Sequence, residues 1–450
     1  MNKSKVNVQD LLKKLSFLKN NLALLVPILI ALVAILTFIP TTLLSGKLRS
    51  QIEQQSVQAG RQIDGLIRDV NQAAEAEAME PYMNAYAQDA NAMEDAIRQT
   101  TLRELLDYKV FADPNQTSQL VFDPFRQKYL AGVDAMLQRL QAGGPPSDTE
   151  IFAALDASPT RSLYGRNRPT AGRASTGGLY GGAGYNQGFN FRRMMMMSET
   201  DRKIIEKVLE DKARGIKVYV NPIDLGGYLY WSDWKFEDWD KAIKDSWYWQ
   251  MAYWILEDVV TTVEEMNQSA DNVLHAPVKR VMNVLFTQSR MGRTMIGRGR
   301  RRPMAAKDQQ APTYVTGVKN AMTGTPCTGR LSSSDPSSEL DVMQFEVRVV
   351  VQASEVMHFM QELCSAKTHQ FRGWYGDQPP QTYQHNQITI LESSVTPVDR
   401  EDFDHGSFEY GPDEVVDMDL ICEYLFDVKA YDSIMPKEVK DDISGTGQTK

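Results

Sequence analysis

The segment Gln344-Phe-Glu-Val-Arg-Val-Val-Val-Gln-Ala-Ser-Glu-Val-Met-His-Phe-Met-Gln-Glu-Leu363 switches hydrophobic period within twenty residues and decides the fold class. Phe345, Val347, Val349 and Val351 alternate with Glu346, Arg348, Val350 and Gln352, which predicts a strand with one strongly apolar face. Ser354 can cap the helix that follows, where Val356, Phe359, Met360 and Leu363 recur at i, i+3, i+4 and i+7. Ile388 to Val398 reads as a second strand. Val416, Met418, Leu420, Cys422, Tyr424 and Phe426 alternate through a third. A helix packed on one side of a mainly antiparallel sheet buries these faces, so 341–430 is expected to form an α+β domain of ferredoxin-like kind.

Upstream, 111–290 repeats this grammar. Phe125 to Leu140 carries Phe125, Tyr129, Val133, Met136, Leu137 and Leu140 near one helical face and ends at Gly143-Gly-Pro-Pro146. Ile216-Lys-Val-Tyr-Val220 alternates as a strand, Trp247 to Met266 forms a long helix, and Arg280 to Phe286 forms another strand. A second ferredoxin-like α/β domain is therefore expected here, interrupted by a Gly-rich insertion at 164–197. The Arg/Ser-rich stretch 291–340, preceded by Arg290 and opening with Arg293, Arg298, Arg300, Arg301 and Arg302, reads as a solvated linker. Residues 431–450 read as a disordered tail.

No charged residue lies between Lys19 and Lys47, and Leu22 to Pro40 is almost wholly Leu, Ile, Val and Ala. At about 1.5 Å per residue such a run predicts a transmembrane helix over 21–44. It exceeds the apolar core of a signal peptide and has no small-residue cleavage site. Lys3, Lys5, Lys13, Lys14 and Lys19 precede it, which keeps 1–20 as a cytoplasmic basic tail and exports the remainder. From 45 to 110 the chain reads as a coiled-coil helix whose stripe Leu48, Ile52, Ala59, Ile63, Leu66 and Val70 is a candidate partner interface. Gln55 and Gln62 interrupt the seam.

The formal net charge of −9 excludes nucleic-acid binding by charge. Three cysteines, Cys327, Cys364 and Cys422, exclude a disulfide-dense scaffold, although a Cys364–Cys422 bridge remains open in an oxidising compartment. His275, His358, His369, His385 and His405 show no ligand spacing, and Met194-Met-Met-Met197 has no accompanying His or Cys set. No metal or cofactor is expected. Asp417, Asp419 and Glu423 read as solvated sheet surface rather than a carboxylate pair for acid/base chemistry. Six of the seven tryptophans lie between Trp231 and Trp254, where helical spacing favours core over an aromatic ligand platform. No enzyme is expected.

The layout resembles the PilO-type proteins of type IV pilus systems and the GspM-type proteins of type II secretion. The likeness is carried by Leu22 to Pro40, Leu48 to Val70, Trp247 to Phe286, and Gln344 to Leu363 followed by Ile388 to Val398. It implies a periplasmic coiled coil and ferredoxin-like domains rooted in a bacterial inner membrane, contact with the lipid bilayer, and a homodimer or a heterodimer with a PilN-like or GspL-like membrane protein. The implied role is a structural assembly component. The alternative is a sensory or ligand-binding ectodomain.

Overall fold

The computed structural model describes residues 22–53, 58–111, 119–157, 198–287, 310–317, 320–323, 327–335, 338–402 and 404–444. They divide into two units, Met1–Met93 and Glu94–Lys450. The Gly-rich insertion 164–197, the basic tail 1–20 and the run Arg290–Arg302 lie outside the described residues.

The first unit is helical. α1, Leu22–Ile52, is rich in Leu and Ala and, through its first half, apolar on every face. Val26, Leu29, Ile30, Val33, Leu36 and Phe38 are each more than half exposed. Thr37 returns its hydroxyl to the Val33 and Ala34 carbonyls, at 2.9 and 3.1 Å, so the helix holds its one polar side chain in this stretch internally. Among the described residues no helix is long and apolar enough to cross a membrane, which corrects the transmembrane helix expected over 21–44. The apolar stretch is instead one part of a longer helix that continues through Lys47 and Arg49 to Ile52.

α2, Gln58–Thr100, follows and contains Pro81. The helix expected to reach 110 stops ten residues short of it. Thr100 and Thr101 turn their hydroxyls back onto the Ile97 and Arg98 carbonyls, at 2.6 and 2.9 Å, the local competition that makes threonine a poor continuer of helix. Beyond them 102–107 runs without helix to α3, Tyr108–Phe111.

In the second unit, α4, Phe122–Arg139, buries Phe122, Phe125, Tyr129, Val133 and Met136, the face expected from its periodicity. β1, Ala142–Gly143, leads to α5, Asp148–Asp156, which Ser147 and Glu150 close with a capping box. α6, Glu199–Arg214, is capped by Ser198. Ile151 and Leu155 pack with Ile205 and Leu209 in a small cluster of their own. Next come β2, Val218–Tyr219, α7, Tyr228–Asp233, α8, Trp239–Met266, and β3, Val278–Leu285. The C-terminal half supplies β4, Leu340–Gln352, α9, Val356–Leu363, β5, Lys367–Phe371, β6, Gln381–His385, β7, Ile388–Pro397, and β8, Val415–Asp427. It ends in α10, Val428–Tyr431, and α11, Lys437–Ile443.

These strands form one six-stranded sheet in the order β1-β2-β3-β4-β8-β7, parallel across β1, β2 and β3 and antiparallel from β3 onward. Two separate ferredoxin-like domains are not what the chain builds. β3, expected in the first domain, lies against β4, expected in the second, with Val281 opposite Val349 and Val284 opposite Val347. Strand periodicity fixes which face is apolar but not which strand lies alongside, and β3 and β4 share a core. β5 and β6 form a separate hairpin sheet.

The core lies between the face of the sheet carrying Phe345, Val347, Val349, Leu420, Cys422 and Tyr424 and a layer containing α8, α4 and α9. α8 is buried around most of its circumference, unlike the one-sided helix its spacing suggested. Two of its tryptophan N–H groups find partners across the core: Trp247 donates to the Tyr314 hydroxyl at 3.1 Å and Trp254 to the Glu104 carbonyl at 2.9 Å, whereas the buried Trp249 N–H has none among the described residues.

Two segments expected to be loose are folded. Val315 N–H donates to the Val342 carbonyl and the Ser332 hydroxyl accepts from Val342 N–H, both at 2.8 Å, so part of the 291–340 linker packs on β4. In the tail, Ile434 and Val439 are buried, and the Tyr248 hydroxyl donates to Asp442 at 2.9 Å. Apolar residues at 434, 435 and 439 cover the end of the core, which outweighs the acidic composition that suggested disorder. Cys364 and Cys422 are both free thiols, and Cys422 is fully buried.

Candidate partner stripe and a buried polar clamp

The six stripe residues expected from sequence sit on α1 and α2. Leu48, Ile52, Ile63 and Leu66 are 53 to 62% exposed and Ala59 is partly exposed. The Val70 side chain lies outside the described residues. Further along α2 is a more regular stripe that the sequence reading passed over. Met79, Met83, Tyr86, Ala90 and Met93 follow one another at intervals of four, three, four and three, the spacing of a coiled-coil seam. All five are exposed, Tyr86 at 74%. The signal was present in the sequence, but methionine and alanine in a Gln- and Glu-rich helix read as helix formers rather than as a seam.

In the second unit the last turn of α2 and the segment after it are gripped by a polar network. Arg98 Nε reaches Asp427 Oδ1 at 3.2 Å, and Glu94 accepts from Lys429 Nζ at 3.1 Å. Arg103 has a side chain only 4% exposed. Its Nη1 lies 2.9 Å from both carboxylate oxygens of Asp258 and 3.0 Å from the Tyr424 hydroxyl, and Nη2 donates to Glu257 at 3.0 Å. Burial alone would lower the Arg103 pKa, but Asp258, Tyr424 and Glu257 outweigh it and hold the guanidinium charged. The Tyr424 hydroxyl lies 2.8 Å from Asp258 and 2.7 Å from Gln387 Oε1, so its single proton serves one of them. The Trp254 ring lies 5.9 Å from the guanidinium carbon. Planar geometry and five donors let Arg103 hold all these acceptors together, a task beyond the point charge of a lysine.

Beside this network the β5–β6 hairpin sets His369 against His385, ring centroids 4.1 Å apart. His369 Nε2 is 3.2 Å from the Thr100 carbonyl. Burial, with Arg103 next and His385 adding to it for His369, lowers both imidazoles to about 3, against opposing contributions from Asp258, Thr100 and Gln387. The folded chain therefore keeps both rings neutral while the unfolded chain takes up protons below its ordinary value near 6.5. Their contribution to stability is complete above about 6.5 and is lost as pH falls toward 3. Asp224 and Asp341, raised by burial to about 6, act in the opposite sense over the upper part of that window. A His369→Gln, His385→Gln double variant should consequently lose less thermal stability than the parent between pH 7 and pH 4. Melting curves of equal pH dependence would refute this role.

Of the carboxylates expected on a solvated strand face, Asp417 and Glu423 are buried and Asp419 is half-buried. Asp417 is bound through both oxygens by Arg348, with Nε at 2.9 and 3.0 Å. Glu423 is fully buried and held by Arg330 at 2.5 Å and Thr328 at 3.0 Å. Residues 327–335 fold over that end of the sheet and supply the cation, which strand alternation cannot reveal. Each of these two carboxylates is thus paired with an arginine. Among the described residues no group of three or more His, Cys, Asp and Glu is arranged to hold a metal ion.

Of the six clustered tryptophans, Trp231, Trp247, Trp249 and Trp254 are buried in the core. Trp234 borders an open cavity of about 700 Å3 with Tyr230, Arg126, Lys235 and Asp245. There the Tyr230 hydroxyl donates to Asp245 at 2.5 Å, while burial raises the Asp245 pKa. Arg126 is spent on the Trp231 and Ser232 carbonyls, at 2.6 and 2.9 Å, closing the C-terminal end of α7. The cavity wall is thus largely committed to internal contacts. No family model, curated protein or solved structure matches the chain.

Proposed function

We propose that this chain is a non-catalytic assembly component that joins a partner through the exposed stripe of α2, in the manner of the PilO-type proteins its layout resembles. The observation that carries the reading is the seam Met79, Met83, Tyr86, Ala90 and Met93, regular in spacing and exposed throughout. An apolar seam of this period on a long helix gains stability only when a second helix covers it. The apolar side chains of α1 likewise call for an apolar surrounding, and the proposed setting is contact with the lipid of a bacterial inner membrane. The partner is another membrane-associated helix, of a PilN-like or GspL-like protein or of a second copy. The ligand-binding alternative loses most of its platform to the core, since four of the six tryptophans serve packing.

Cysteine placed at Met83 or Leu66 in the full chain, held in mild detergent, should cross-link to the helix of its partner. Lysine at both Met83 and Tyr86 should reduce capture at least tenfold. Unchanged capture by that variant would sink the reading.

A further inference from the structure

β7 borders the sheet: β8 lies on one side, and among the described residues no strand lies on the other. Its inner pairs include Glu392 with Ile421, Ser394 with Asp419 and Thr396 with Asp417, and Val398 N–H donates to the Val415 carbonyl at 3.3 Å. Antiparallel alternation then turns the backbone groups of 394, 396 and 398 toward β8. Those of Ser393 and Val395, with the Pro397 carbonyl, face outward. From Glu392 to Pro397 every residue is exposed. The usual edge protections are missing from this stretch. No lysine occurs in β7, the bulge at Ile390/Glu392 lies behind the free half, and proline comes only at the last position.

We infer that β7 pairs with β7 of a second copy, antiparallel, about a two-fold axis through Ser394, joining two six-stranded sheets into one. In this register Ser393 faces Val395 of the other copy and exchanges two backbone hydrogen bonds with it, and the symmetric pair exchanges two more. Glu392, the only charged residue of the strand, meets Thr396 rather than the other Glu392, so no like charges are opposed. The neighbouring registers are worse. A centre at Glu392 sets two glutamates face to face and, like one at Ser393, runs into the bulge, while a centre at Val395 or Thr396 sets Ser393 or Val395 against Pro397, which has no N–H to give. This surface is independent of the α2 stripe.

Ser394 on the axis faces its own copy as a non-hydrogen-bonded pair, with Cα atoms about 4.5 Å apart, within disulfide range. In the full chain in mild detergent, with the exposed Cys327 replaced by serine, Ser394→Cys should form an inter-chain disulfide under mild oxidation. Ser393→Cys, two positions out of register with itself, should form at least tenfold less. Val395→Pro removes an outward N–H and an exposed side chain and breaks no hydrogen bond to β8, so in the Ser394→Cys background it should leave the melting temperature within about 2 °C and abolish the cross-link. The inference is overturned if Ser394→Cys fails to cross-link, if Ser393→Cys does so equally, or if the cross-link survives Val395→Pro. A dimer by light scattering without the Ser394→Cys disulfide would place association elsewhere, refuting this pairing while leaving the α2 seam untouched.

Discussion

Arg103→Ala should destabilise the chain by about 3–5 kcal/mol, the cost of leaving one member of a buried ion pair without its counter-charge. Asp258, with a side chain only 6% exposed, would keep the Tyr424 hydroxyl as its sole remaining side-chain donor among the contacts described above. The backbone around 101–107 would lose its grip as well, because Arg103 ties that segment to α8 and β8 at once. With an unfolding entropy of about 2.1 cal/mol/K per residue, a unit of about 350 residues shifts by about 1.4 °C for each kcal/mol, so the melting temperature should fall by roughly 4–7 °C. The Arg103→Ala, Asp258→Ala double variant should recover part of the loss, since the stranded charge goes with its partner. Arg103→Lys should sit between the parent and the alanine variant. A melting temperature within two degrees of the parent for Arg103→Ala would show that the network is relaxed by water and carries little of the fold.

The second large effect is expected at Gly227→Ala. This glycine, just before α7, has φ near +86°, a conformation that costs an L-residue about 1–2 kcal/mol. A Cβ there would collide with the Tyr129 hydroxyl and come within 2.8 Å of the Trp249 ring. Both rings are fully or almost fully buried, and overpacking a filled core adds about 1–3 kcal/mol. The combined loss, about 2–5 kcal/mol by denaturant titration, should be partly relieved by Tyr129→Phe, which removes the colliding oxygen. That rescue is incomplete, because the same hydroxyl donates to the Gly226 carbonyl at 2.8 Å. An additive rather than compensating double variant would locate the strain in the backbone alone.

Much of the local structure was legible because burial is one-sided. β4, β8 and α4 each alternate or repeat against a single apolar face, and period alone finds such elements. α8 was legible as a helix but not in its surroundings, since Trp249 sits across the helix from Trp247 and Trp254 and all three are buried. The sheet order was beyond period: β3 beside β4 joins residues more than sixty positions apart, and alternation is the same whichever strand lies alongside. The clamp did leave a trace. Asp258 stands with Glu257 between the apolar runs 253–256 and 259–260, on a helix whose faces are mostly buried, and a buried carboxylate there requires a cation. Which cation it was, and that it came from 155 residues upstream, was not written in either segment alone.

The clamp also bears on the order in which the chain can mature. Arg103 is made early, its first partner Asp258 comes 155 residues later, and Tyr424 follows 321 residues after Arg103. At about 5–20 residues per second of synthesis, the arginine waits on the order of half a minute before its last partner exists. β4 waits likewise for β8, and α8 for the Asp442 that receives Tyr248. Through that interval the edge of β4 that pairs with β8 stays open. The clamp and the β4–β8 ladder therefore close only once residues 415–427 have left the ribosome, late in the making of the second unit.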